Sequence, residues 1–209
     1  MKLICSKANL LYGVNIVIKA VPSKTTMPIL ECILIDASKE QIKLIANDME
    51  LGIETIIEGT IEEPGIIALD AKIFFEIVRK LPDNDISITS DNKLKTMITC
   101  EKSKFNIVGK LGDDFAYLPD VEKKKPISIT QFTLKEIIRQ TIFSIADNDT
   151  NKLMTGELFE INENKLKVVS LDGHRISIRN IELKNNCENK KVIVPGKTLQ
   201  EISKILPGS

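Results

Sequence analysis

Two stretches decide how this chain is read. They are Cys32-Ile-Leu-Ile-Asp36 with Gln41-Ile-Lys-Leu-Ile-Ala-Asn-Asp48, and Gly156-Glu-Leu-Phe-Glu160 with Lys165-Leu-Lys-Val-Val-Ser-Leu-Asp172. They superpose without a gap at an offset of 124 residues, the separation of Asp48 from Asp172. Both alternate apolar and polar residues, the period of a half-buried strand, and both turn through a polar stretch. Each predicts a β-hairpin that runs into a third strand after the aspartate. The chain is therefore duplicated, and a duplication has to be recognised before any motif is weighed.

A second match extends the first. Ile67-Ala-Leu-Asp-Ala-Lys72-Ile-Phe-Phe-Glu76-Ile-Val-Arg79-Lys-Leu81-Pro82 aligns with Ile193-Val-Pro-Gly-Lys197-Thr-Leu-Gln-Glu201-Ile-Ser-Lys204-Ile-Leu206-Pro207, with one residue of slack before the lysine. Each is a strand followed by a short amphipathic helix that a proline stops. A weaker match pairs Leu10-Leu11 with Ile137-Ile138, inside helices expected over residues 8–18 and 133–145. The repeat unit is thus strand, helix, several antiparallel strands, helix, which makes the fold class α+β. Three more strands are expected in the first copy, around 85–90, 94–100 and 104–108. Residues 121–126, with Lys123-Lys124-Lys125, read as a linker between a first domain over 1–120 and a second over 127–209. The second copy stops after its second helix, so its last strands are expected to be missing.

Composition narrows the function. Hydrophobic residues make up 43% and charged residues 28% of 209, the balance of a globular chain with a real core. The N-terminus lacks the continuous apolar stretch of a secretory signal, and no apolar run reaches the ~18–20 residues of a membrane span. A cytoplasmic protein is expected. Cys5, Cys32, Cys100 and Cys187 form no CxxC pair, and there is one histidine, so structural thiols are expected and no metal or cofactor site. The 29 basic and 29 acidic residues cancel. A tight DNA binder usually shows a basic excess, so either DNA is not the partner or the positive charge gathers on one surface.

The sequence resembles the bacterial sliding clamps, the beta subunits of DNA polymerase III, from Met1 to Ser209. The likeness is carried by Thr26-Met-Pro28-Ile29-Leu30, Phe74-Phe75 before Leu81-Pro82, Asp114-Phe115 with Leu118-Pro119, Asp172-Gly-His-Arg175 and Val192-Ile-Val-Pro195, in that order. The resemblance implies the DNA clamp fold, with tandem domains whose sheets face outward and whose helices line a hole around duplex DNA. It implies a homodimeric ring of three-domain chains, acting as a non-catalytic processivity factor. The third domain is absent here, so these residues alone are not expected to close a ring.

The resemblance also assigns roles to residues. Lys72 and Arg79 share a helix face with Glu76, and Lys197 and Lys204 repeat the pattern with Glu201. Read alone, that is a solvated, salt-bridged face. As part of an inner wall it would attract phosphates without fixing register, together with Lys24 and Arg139. Gly196 stands where similar clamps carry an arginine. The stretch Leu171-Asp172-Gly173-His174-Arg175-Ile176 reads as a turn, or as an Asp-x-His pair for proton transfer, although no nucleophile or metal cluster accompanies it. The resemblance instead places Met154, Leu171, Gly173, His174, Arg175 and Ile176 in a pocket for peptides of the polymerase, the clamp loader and other partners. Lys102, Lys104, Phe105 and Ile107 read as part of a last strand, with Phe105 and Ile107 in its core, and the resemblance makes that strand an edge at the ring interface. Met27, Pro28 and Leu30 are expected to pack. The rival readings are an enzyme built on Asp172 and His174, a two-domain interaction protein, and a eukaryotic-type clamp with two domains per chain.

Overall fold

The computed structural model describes residues 1–115, 117–119, 126–147 and 150–207. The chain divides into two compact units, Met1–Pro119 and Asp120–Ser209. Of the expected linker over 121–126, all but Pro126 lies outside the described residues.

The first unit begins with β1 (Lys2–Ser6) and α1 (Lys7–Val17), with 3-10 turns at Ile18–Ala20 and Pro28–Glu31. Then come β2 (Cys32–Asp36), β3 (Ile42–Asn47), β4 (Gly52–Ile57), β5 (Thr60–Glu63) and β6 (Ile66–Asp70). The helix α2 (Ala71–Lys80) precedes β7 (Asp85–Ser90), β8 (Lys95–Cys100) and β9 (Ser103–Val108). Two antiparallel sheets result, ordered β5-β1-β7-β8-β9 and β4-β3-β2-β6. Both helices start where a side chain satisfies an orphan N–H. The Ser6 hydroxyl accepts from the Asn9 amide at 3.2 Å, and the Asp70 carboxylate accepts from Ile73 at 2.8 Å. The main core joins both helices to both sheets through Leu10, Val14, Ile33, Leu44, Phe74 and Ile88.

The strand β2 departs from the expected alternation, because Cys32, Ile33, Leu34 and Ile35 are all buried. Ile33 and Ile35 enter the main core, while Cys32 and Leu34 pack in a second cluster with Ile45, Ala68 and Phe115. A strand covered on both faces loses the polar half of its pattern. Among the residues expected to pack, Leu30 is buried but Met27 and Pro28 are exposed, since the 3-10 turn points only its inner side at the sheet.

The second unit contains α3 (Gln131–Thr141), 3-10 turns at Ile142–Ser144 and Lys152–Thr155, β10 (Gly156–Leu171), β11 (Ile176–Pro195) and α4 (Gly196–Ile205). Its ladder repeats that of the first unit. Ile42↔Ile57 and Asn47↔Gly52 become Leu166↔Ile181 and Leu171↔Ile176, while Cys32↔Asp70 and Asp36↔Ile66 become Gly156↔Pro195 and Glu160↔Lys191. The two strands expected over 156–160 and 165–172 run together as β10, interrupted at Glu163, whose φ is +53° and whose register is irregular on both sides. Its core of Ile137, Ile138, Phe159, Ile161, Leu166, Val168 and Leu199 sits where Gly13, Val14, Ile35, Ala37, Ile42, Leu44 and Phe74 sit in the first unit.

Two expectations are corrected here. The helices align three residues away from the Leu10-Leu11 and Ile137-Ile138 pairing. Both span 11 residues, both are followed by a 3-10 turn of 3, and Gly13 and Val14 are the counterparts of Ile137 and Ile138. A slip of three nearly completes one helical turn, so both alignments superpose the apolar stripes. The strand expected before α3 is also not formed over 126–130. In the first unit β1 is held between β5 and β7, and the counterpart of β7 falls outside these 209 residues.

Candidate functional site

The helix faces carry their charges largely as pairs. On α2 the Arg79 guanidinium donates to Glu76 at 2.8 Å, and Lys80 lies 3.5 Å from the same carboxylate. Hydrogen bonding to Arg79 is the largest influence holding the Glu76 carboxyl below its ordinary range. On α3, Arg139 grips Glu136 through Nε and a terminal nitrogen, at 2.9 and 2.8 Å. On α4, Lys204 donates to Glu201 at 2.6 Å. Exposed pairs of this spacing contribute little stability, so a phosphate can exchange with the glutamate at small cost. Lys24, in the bend before Pro28, and Lys72 and Lys197, in the first turns of their helices, are exposed. Gly196 is fixed by packing, because a Cβ there would meet Ile145 Cδ1 at 2.2 Å and Thr155 O at 2.8 Å. Its counterpart Ala71 is fully buried, so neither position has room for a long side chain.

The strand β9 is the outer strand of its sheet. Lys102, in the turn before it, and Lys104 are exposed, Ile107 is half-buried, and Phe105 is 39% exposed. The expectation that Phe105 is a core residue is thereby corrected, since no further strand covers its sheet edge among the described residues. Phe105 shares an apolar groove with Lys72, Ile73, Glu76, Ile77 and Lys80. One residue assigned to the DNA face, Lys72, therefore also borders the edge-strand groove, a juxtaposition that the sequence reading missed.

In the second unit, Asp172 organises the turn between β10 and β11. Its Oδ1 accepts from the amides of His174 and Arg175 at 3.0 and 3.1 Å, and its Oδ2 accepts from Arg175 Nε at 2.9 Å. The His174 amide is the largest influence depressing its carboxyl below the ordinary range. Gly173 takes φ +85°, a conformation that glycine adopts without strain. The first unit contains the same turn, with Asp48 accepting from Glu50 and Leu51 and Met49 at φ +74°. A carboxylate occupied in this way builds a turn and is not placed as a general base for the exposed His174. That removes the geometric support for the enzyme reading.

Leu171, Gly173, His174, Arg175 and Ile176 are thus brought together in one turn, with Leu171 and Ile176 paired across it. Met154 lies on a separate element, the 3-10 turn Lys152–Thr155, and its carbonyl accepts from Ala146 at 2.9 Å. Sequence reading missed Phe143, whose ring carries the Arg175 guanidinium at 5.9 Å, and Ser144, whose hydroxyl lies 2.6 Å from that of Ser177. Both residues tie the 175–177 segment to the 3-10 turn that follows α3. In the first unit Leu118 packs at the matching place, because a Cβ on Gly52, the counterpart of Ile176, would meet Leu118 Cδ2 at 1.9 Å.

Among the described residues, no group of three or more His, Cys, Asp or Glu side chains could hold a metal ion, and no helix is long and apolar enough to cross a membrane. The thiols of Cys5, Cys32 and Cys100 are buried, and burial pushes that of Cys5 up to about 12. Residues 1–119 match the model of the DNA polymerase III beta subunit N-terminal domain, and residues 128–209 match that of its central domain. The chain belongs to the DNA polymerase III beta subunit family. It is 35% identical over 200 residues to a beta sliding clamp of Staphylococcus aureus, covering 92% of this chain and 53% of that protein. A crystal structure of a candidate beta subunit from Eubacterium rectale is 78% identical with a TM-score of 0.98, covering 100% of this chain and 57% of that one. The DNA polymerase sliding clamp of Bacillus subtilis is 36% identical with a TM-score of 0.95, covering 99% and 57%. The chain thus spans about half the length of the relatives it matches.

Proposed function

We propose that these residues form the first and most of the second domain of a clamp that encircles duplex DNA without sequence preference and keeps the replicative polymerase on its template. The clamp is non-catalytic, needs no cofactor and works in the cytoplasm. Its complete ring is a homodimer of three-domain chains, and these 209 residues by themselves do not close it. The observation that carries the reading is the repeated ladder register of a beta-subunit chain, which gives each copy a helix with lysines at matched positions, Lys72 and Lys197. With Lys24, Arg79, Arg139 and Lys204 they supply a modest positive surface on a chain of zero net charge. A protein tethered by topology needs no stronger grip, and many phosphate contacts would oppose sliding.

Met154, Leu171, Gly173, His174, Arg175 and Ile176 are proposed to receive short peptides of the polymerase, the clamp loader and other partners. Lys102, Lys104, Phe105 and Ile107 are proposed to meet the next chain of the ring, with residues 121–126 linking the two domains. The decisive measurement loads the full-length protein onto nicked circular duplex with its clamp loader. The protein is expected to remain bound through gel filtration and to leave when the circle is cut. Equal dissociation from circular and linear DNA would overturn the reading.

A further inference from the structure

Glu157 is buried at 0% exposure, and neither of its carboxylate oxygens has a hydrogen-bond partner. Natural interiors rarely leave such a group unsatisfied. Its neighbours in the fold depart from the repeat in the same direction. Val17, Ala20, Ile33 and Ala46 are fully buried in the first unit, and their counterparts Thr141, Ser144, Glu157 and Ser170 are equally buried in the second. The hydroxyls have other partners: Thr141 donates to Ile137 O at 2.7 Å, Ser170 donates to Thr141 O at 2.6 Å, and Ser144 pairs with Ser177. The last two bonds tie the end of α3 and the 3-10 turn after it to the 170–177 segment, with the Phe143 and Arg175 contact beside them.

We propose that Glu157 and these hydroxyls form a proton-dependent latch that fastens the end of α3 to residues 170–177. That residues 170–177 take part in peptide docking rests on the reading above, but the latch itself does not. A neutral carboxyl can stay buried there. An ionised one without a partner draws in water or swings out, and the junction opens. Charged groups on the packed elements do not offset this. Arg139 pairs with Glu136, Lys191 with Glu160, Lys204 with Glu201 and Arg175 with Asp172, while Lys152 and Lys197 are exposed. Burial is the largest influence on Glu157 and raises its pKa from 4.5 to about 7; the nearby Thr141 hydroxyl opposes this only weakly, because its proton is given to Ile137 O.

The closed state therefore holds the proton more tightly than the open one. Its advantage is complete below pH 4.5, declines as pH rises and is exhausted above about 7. From these two values, opening is about tenfold more populated at pH 8 than at pH 6. Hydrogen exchange on the full-length protein, corrected for intrinsic rates, tests this. Residues 141–146 and 170–177 are expected to lose protection at pH 8, while the matched residues 17–22 and 46–53 of the first unit do not. Glu157→Gln is expected to abolish the difference. Equal behaviour of the two units, or an undiminished difference in Glu157→Gln, would overturn the latch. If that variant does not fold, a carbon-13 titration of the wild-type carboxyl decides, and a midpoint near 4.5 counts against it. Failure of the clamp reading would leave these outcomes unchanged.

Discussion

The two units put different chemistry on one backbone plan. Where the first buries Val17, Ala20, Ile33 and Ala46, the second buries Thr141, Ser144, Glu157 and Ser170, and the ladders around them keep the same pairings. Register in these sheets is set by the inward residues that remain apolar, from Ile35 and Leu44 to Phe159 and Val168. The positions that changed contribute less to the choice of fold, and so they are free to carry other properties.

Exchanging residues between the units tests this contrast. The largest effect is expected from Ile33→Glu, which places an unpartnered carboxyl in an apolar core and costs roughly 3–5 kcal/mol when charged. Because the buried form of that carboxyl favours its proton, the first unit should then be more stable at pH 5 than at pH 8. Unfolding of the first unit, followed by exchange at the two pH values, reads this. A first unit of unchanged stability would show that the site tolerates charge. Next come the matched truncations Phe74→Ala, at about 3–5 kcal/mol, and Leu199→Ala, at about 2–5 kcal/mol. Each should unfold its own unit selectively in denaturant, and loss of both units from either variant would mean that they are not independent. Smaller again are Asp48→Ala and Asp172→Ala, each expected to cost ~1–3 kcal/mol through the amides left without an acceptor. Only Asp172→Ala should also release Arg175 and weaken partner-peptide binding, measurable by titration calorimetry. The smallest effects belong to Lys72→Ala and Lys197→Ala. Stability should not change, and the salt dependence of DNA association should fall by about one unit of slope for each phosphate no longer neutralised. An unchanged slope for either would place that lysine off the DNA, and for Lys72 it would favour the groove beside Phe105.

Much of this was legible in the residues. The ungapped match around Asp48 and Asp172 specified the ladder, and the three strands after α2 lie within a residue of where alternation put them. What escaped notice did so for physical reasons. Apolar spacing admits an alignment of the helices three residues out, because that slip preserves an apolar stripe. Alternation alone makes Glu157 the polar member of a strand, although its offset from Ile33 marks an inward position. The Phe143 contact with Arg175 joins residues 32 apart in sequence and leaves no local pattern. Phe105 could be read as core or edge, since period 2 shows which face a residue occupies but not whether another strand follows.

Duplicating a module copies every surface it has, wanted or not. Leu118 packs against Gly52 in one copy, while Ile176 stands 60% exposed at the matching place of the other. Under the proposed reading, the second copy alone offers an apolar side chain at this position, so the two turns are not interchangeable docking places.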